Sequence, residues 1–147
     1  MPDARILIVD DEEDTLNAIG FCLSQEGFTV LEARDGLDAL RVAERDRPDV
    51  VVLDVMLPGL NGYEVSRRMK EGPICAGEDG TRVLLLTARR VDSLEREEFL
   101  AAWSQADLVM YKPFEMDELL RQVTRLAAVA RKDAVAKATT RPPAVTP

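Results

Sequence analysis

Val50-Val51-Val52-Leu53-Asp54 is an unbroken apolar run closed by a carboxylate, and Ile6-Leu7-Ile8-Val9-Asp10-Asp11 has the same form near the start of the chain. A short apolar run bounded by turn residues reads as a strand buried on both faces, as in a parallel sheet. Ligands of open α/β sheets bind at the carboxyl ends of such strands. Two ends of this kind gather Asp10, Asp11 and Asp54 in one crevice. At an effective dielectric of about 20, two carboxylates ~4 Å apart repel by ~4 kcal/mol. A fold keeps such a cluster only where a cation or a shared proton relieves it. The two strand ends therefore point to a hard-metal site and a reactive aspartate.

Strand and helix signals alternate outward from these runs, the pattern of a doubly wound parallel sheet. Residues 5–9, 28–32, 49–53, 83–86 and 108–111 read as strands. Asp14 or Thr15 can open a first helix, with Leu16, Ile19, Phe21 and Leu23 on its apolar side and Gly27 ending it. Leu37, Leu40 and Ala43 mark a second helix before Pro48, and residues 63–70 a third. The Gly-rich segment 71–82 reads as a loop. Residues 93–105 can form a fourth helix with Leu94, Phe99, Leu100 and Trp103 as its apolar residues, and Glu95 to Glu98 as a solvated face. Met116, Leu119, Leu120, Val123, Leu126 and Ala127 give a clear helical period for a fifth. The division expected is one domain over residues 1–130 and a disordered tail or linker over 131–147.

At 147 residues the chain is long enough for one full core and short for two domains. Its net charge of −8 argues against nucleic acid as a direct partner, because phosphate binding needs a basic footprint. Arg131, Lys132, Lys137 and Arg141 against Asp133 give residues 131–147 a charge of +3, which leaves the rest at −11. Cys22 reads as a buried structural thiol, and Cys75 lies in a polar loop without a partner motif. Two such cysteines suit a reducing compartment. With no signal peptide before the first strand and no apolar run of membrane-spanning length, the expected location is the cytoplasm, away from the membrane. The chain has no histidine. That removes His-based triads and any phosphohistidine carrier role, so a phosphoryl donor must come from outside.

Taken together, ILIVDDEED at residues 6–14, PDVVVLDVMLPGLNGYEV at 48–65, LLLTA ending in Thr87-Ala88, and YKPF with Lys112 resemble the response-regulator receiver domain. This is the phosphoacceptor module of two-component signalling, and the resemblance covers about residues 4 to 130. It implies a flavodoxin-like (βα)5 fold with strand order 2-1-3-4-5. It implies that Asp54 accepts a phosphoryl group from a sensor histidine kinase or a histidine phosphotransfer protein. It implies Mg²⁺ held by Asp11 directly, by Asp10 through water, by Asp54 and by the backbone carbonyl of Met56. Thr87 and Lys112 would stabilise the transferring group, and Lys112-Pro113 would be cis. On this reading the domain is a phosphorylation-controlled interaction switch for a downstream effector protein or domain. It catalyses only its own aspartyl phosphorylation and dephosphorylation.

Two other readings were weighed. A magnesium-dependent phosphohydrolase with an aspartyl nucleophile usually has a second Asp two residues on, where this chain has Met56, and it needs a lid. A scaffold receiver that never turns over phosphate has no use for Asp54, Thr87 and Lys112 together. Three features depart from the family pattern, all on the expected output side. Val109 stands at the usual aromatic switch position, Gln105 at the usual Gly before strand five, and the stretch from Thr87 to Lys112 is about three residues longer than is usual in the family. Tyr111, two residues past Val109, is expected to have a packing role.

Overall fold

A computed structural model of the chain describes residues 4–72, 80–88 and 94–140, with side chains as far as residue 130. Cys75 and most of the Gly-rich loop lie outside the described residues. Elements alternate throughout: β1 (Arg5–Val9), α1 (Glu13–Gln25), β2 (Thr29–Ala33), α2 (Gly36–Asp46) and β3 (Val50–Asp54). Then follow α3 (Gly62–Glu71), β4 (Arg82–Ala88), α4 (Leu94–Ser104), β5 (Leu108–Lys112) and α5 (Met116–Thr140). The strands form one parallel sheet in the order β2-β1-β3-β4-β5, as the sequence led us to expect.

Period-two alternation along the central strands divides the core into two layers. Ile6, Ile8, Val50, Val52, Leu84 and Leu86 face α1 and α5, where they meet Leu16, Ile19, Leu119 and Val123. Leu7, Val9, Val51, Leu53, Val83 and Leu85 face the opposite side, against Ala39, Val42, Val65 and Met69 of α2 and α3. Both faces are covered, which is why these strands carry uninterrupted aliphatic runs.

Local chemistry sets the helix boundaries. Asp35 caps α2 by accepting the Asp38 N–H at 2.8 Å, and Asn61 caps α3 by accepting the Glu64 N–H at 3.0 Å. α1 opens one residue before Asp14, and its N-cap, Glu12, makes no side-chain cap bond. α2 stops at Asp46, with Arg47 in the left-handed region at φ 49°, so the helix has ended before Pro48 is reached. α5 continues past Ala130 to Thr140, where a tail was expected to begin. The stretch RKDAVAKA is rich in strong helix formers and has no Gly or Pro to stop the helix.

Several burial expectations are corrected. Phe21 and Leu37 point to solvent at 66% and 64% exposure, and Cys22 is only half-buried. On each of α1 and α2 one apolar residue thus lies outside the buried stripe. On α4 the pattern is inverted: Phe99 is exposed and Glu97 is buried, so the run Glu95 to Glu98 is not a uniformly solvated face.

The turn into β5 needs a left-handed residue, and Gln105 supplies it at φ 62°. A non-glycine residue there costs roughly 1–2 kcal/mol. Gln105 recovers little through its side chain, whose amide lies 3.4 Å from Glu71 Oε2. Gln105→Gly should therefore raise unfolding stability by about 1 kcal/mol, part of the relief being lost to the freer unfolded chain. Urea unfolding of the two proteins measures this, and an unchanged or lowered midpoint would refute it.

Candidate functional site

Register brings the acidic strand ends together. β1 and β3 pair with Val9 opposite Leu53, so Asp10 and Asp54 leave the sheet side by side. Asp10 is 1% exposed and Asp54 4%, while Asp11 is open to solvent. Each of the three offers a carboxylate oxygen, and these oxygens all lie within 4.8 Å of one another. β4 follows β3, and β5 lies beyond it, with Ala88 opposite Lys112. Across β4, Lys112 Nζ reaches Asp54 Oδ2 at 3.3 Å. The Lys112-Pro113 peptide bond is cis.

The oxygens are held individually. Asp10 Oδ1 accepts the Glu12 N–H at 2.9 Å, and Asp54 Oδ1 accepts the Met56 N–H at 3.2 Å. Each carboxylate thus acts as the turn former that an isolated strand-end Asp usually is. Their second oxygens differ. Asp54 Oδ2 has Lys112, whereas Asp10 Oδ2 is buried without a hydrogen-bond partner. Burial first, and then the neighbouring Asp54 charge, push the Asp10 carboxyl up to about 6, against the lowering effects of the Glu12 N–H and Lys112. A buried carboxylate oxygen with no donor, flanked by two more carboxylates, is what a hard oxygen-seeking cation satisfies. The donor set fits Mg²⁺.

Thr87 is buried at the end of β4, and its hydroxyl makes only a 3.5 Å contact to the Ala88 carbonyl, long for an O–H donor. That hydroxyl is available to another acceptor. Gly62 opens α3, and its N–H donates to the Val55 carbonyl at 2.8 Å. A Cβ there would lie 2.4 Å from the Asp54 carbonyl oxygen and 2.6 Å from Val55 Cα. Only glycine lets α3 start this close to the backbone that carries Asp54.

Asp11, Asp54, Thr87, Lys112 and Met56 line one open cavity of about 970 Å³, and Asp10 lies buried beside it. Sequence reading had already singled out all six. It did not find that Arg96, Glu97 and Leu100 of α4 form part of the same cavity wall. No motif marks them, because they arrive through the packing of α4 on α3.

A family model described as the response regulator receiver domain matches residues 6–124. "Response regulator MprA" from Mycobacterium leprae is 39% identical over 133 residues, 90% of this chain and 55% of that protein. "Alkaline phosphatase synthesis transcriptional regulatory protein PhoP" from Bacillus subtilis is 36% identical over 132 residues, 90% of this chain and 50% of that protein. The chain thus spans about half the length of these curated relatives. The receiver domain of the sensor histidine kinase PA1611 from Pseudomonas aeruginosa, solved with magnesium coordinated in its active-site cleft, superposes with a TM-score of 0.73. It is 28% identical, and the match covers 85% of this chain and 98% of that one.

The raised Asp10 pKa makes a signed prediction. Between about pH 4 and 6 the folded state holds a proton that the unfolded state has lost. Without divalent cations this term favours the fold below that window and is lost as pH rises through about 6. Its size is on the order of 2–3 kcal/mol. Asp10→Asn keeps an oxygen for the Glu12 N–H but has no titrating charge. Urea unfolding in chelator should show the variant more stable than the native chain at pH 7.5, with the gap closing toward pH 4.5. A gap that does not depend on pH would refute the assignment.

Proposed function

The chain belongs to the response regulator receiver family, and on that premise we propose that Asp54 is the acceptor of a phosphoryl group delivered by a histidine kinase or a histidine phosphotransfer protein. The carrying observation is the 3.3 Å approach of Lys112 to an Asp54 that is buried among carboxylates yet opens on a cavity. The absence of histidine from the chain makes the donor external.

In the reaction, an Asp54 carboxylate oxygen forms a bond to phosphorus as the phosphorus–nitrogen bond of the phosphohistidine breaks. The imidazole leaves with the electron pair and is protonated. Such transfer needs alignment and charge neutralisation more than a basic nucleophile. The Met56 N–H on Oδ1 holds the Asp54 carboxylate in a fixed orientation. Lys112 exchanges its ion pair with Asp54 for the phosphoryl oxygens as the aspartate charge is consumed. The Thr87 hydroxyl, lightly engaged at 3.5 Å, turns to a phosphoryl oxygen. Asp10, Asp11, Asp54 and the Met56 carbonyl would hold Mg²⁺, which would supply further positive charge to the transferring group.

The acidic cluster, the orphaned Asp10 oxygen and the magnesium in the related kinase receiver support that assignment. The output is a changed surface read by a downstream effector protein or domain, so the module signals and does not turn over metabolites. Among the described residues no helix is long and apolar enough to cross a membrane. We place the phosphotransfer in the cytoplasm. The residue two positions after Asp54 is Met56, so the second Asp of aspartyl phosphohydrolases is missing, which favours the switch over the hydrolase.

Incubation with a small acyl phosphate and Mg²⁺ should add one phosphoryl group to the native chain and none to Asp54→Asn, read by intact mass. Equal labelling of the variant would move the acceptor elsewhere. In melting experiments, Mg²⁺ at ten times its Kd should stabilise the native chain by ~1.4 kcal/mol. Asp11→Asn should lose most of that shift. The same shift in both proteins would take the metal away from this cluster.

A further inference from the structure

Arg96 differs from the other arginines of this fold. Every other arginine with a described side chain makes a hydrogen bond or an ion pair to the protein. Arg96, in the first turn of α4, makes none among the described residues, yet it lines the cavity that holds Asp54, Thr87 and Lys112. It is exposed, so its guanidinium is free to reorient.

The charge balance of the site shows what such a group can do. As Asp54 becomes a mixed anhydride it loses its own charge, and the phosphoryl group brings about −1.5 to −2. With Asp10 and Asp11 ionised, Lys112 and one divalent cation leave an excess of about one negative charge. Arg96 is a cation on the wall of the same cavity that is not committed elsewhere. Its planar fork suits two phosphoryl oxygens at once.

α4 is also built to respond at this end. Its far end is tied to α3: Ser66 Oγ donates to the Ser104 carbonyl at 3.0 Å, and Arg67 Nη1 donates to the Trp103 carbonyl at 2.8 Å. The Arg67 guanidinium also lies 4.9 Å over the Trp103 ring. A pull on Arg96 therefore acts on a helix anchored at its opposite end. Val109, partly buried against the α2–α4 layer, has no ring with which to transmit the change.

We propose that Arg96 is a further ligand of the phosphoryl group on Asp54, and that this contact draws the N-terminal end of α4 over the site. The inference rests on Asp54 being the acceptor. It makes Arg96 both a binding residue for the modified site and the link between that site and the α4 surface.

The test compares the full native chain with Arg96→Gln and Arg96→Lys, using acetyl phosphate and Mg²⁺. Intact mass gives the labelling rate, backbone amide shifts of residues 94–100 report on the N-terminal end of α4, and phosphorus NMR reports on the acyl phosphate itself. At low salt Arg96→Gln should label about two- to fivefold more slowly, the worth of one exposed cation beside an anion, with a shallower salt dependence. Once labelled, it should lose most of the amide-shift response at residues 94–100 and show a shifted phosphorus resonance, with Arg96→Lys in between. The exposed position of Arg96 lets all three chains fold, and their melting curves check this. A native chain that gains no mass overturns the acceptor reading and this inference with it. Native labelling without an amide-shift response at residues 94–100, or with a response that Arg96→Gln keeps, overturns the inference alone, whatever its labelling rate.

Discussion

Parallel pairing of β1 with β3 forces two buried carboxylates to emerge side by side, and their mutual repulsion is the constraint around which the site is organised. Asp10 and Asp54 are almost inaccessible to water, so neither solvent nor salt can screen them effectively. The fold answers with one cation, Lys112, brought from two strands away. It also supplies two backbone N–H groups, from Glu12 and Met56. The balance is still incomplete: one Asp10 oxygen has no donor, and the Asp10 carboxyl holds its proton to about pH 6. A site left short of positive charge in its resting state is one whose state can be changed by a cation or by chemistry on Asp54.

The scaffold keeps this imbalance in place by packing both faces of the sheet. Ile6, Ile8, Val50 and Val52 face one helical layer and Leu7, Val9, Val51 and Leu53 the other, so a one-residue slip of β1 or β3 would send each set into the layer packed for the other. Gly62 lets α3 start against the Asp54–Val55 backbone, which seats the loop after β3. The strand-end turns are stiff because the strands behind them are.

α4 follows different rules from the other helices. Phe99 is exposed and Glu97 is buried on it, and its clearest hold on the domain is at its C-terminal end, through Ser66 and Arg67 of α3. Helices seated by a strong apolar stripe resist displacement; a helix with a mixed face is more easily moved. The physical contrast is between a rigid chemical centre and a less firmly seated neighbour that shares its cavity wall.

The alternation of strands and helices was readable in the sequence because it depends on local signals: aliphatic runs of strand length, acidic residues at their ends, and Gly27 after the first helix; the strand order came with the family resemblance. Asp10, Asp11 and Asp54 were legible for the same reason, since they close two aliphatic runs that pair in parallel, whereas Thr87 and Lys112 were found through the family resemblance. Burial on the helices was less legible, as Phe21, Leu37, Phe99 and Glu97 show. Periodicity gives the spacing of an apolar stripe but not the width of the groove that receives it. The unmatched Asp10 oxygen, the close approach at Gly62 and the presence of Arg96 beside Asp54 came only with the tertiary structure. Each depends on the distance between segments far apart in the chain, and that distance is set by how whole helices and strands pack, not by the residues next to them in sequence.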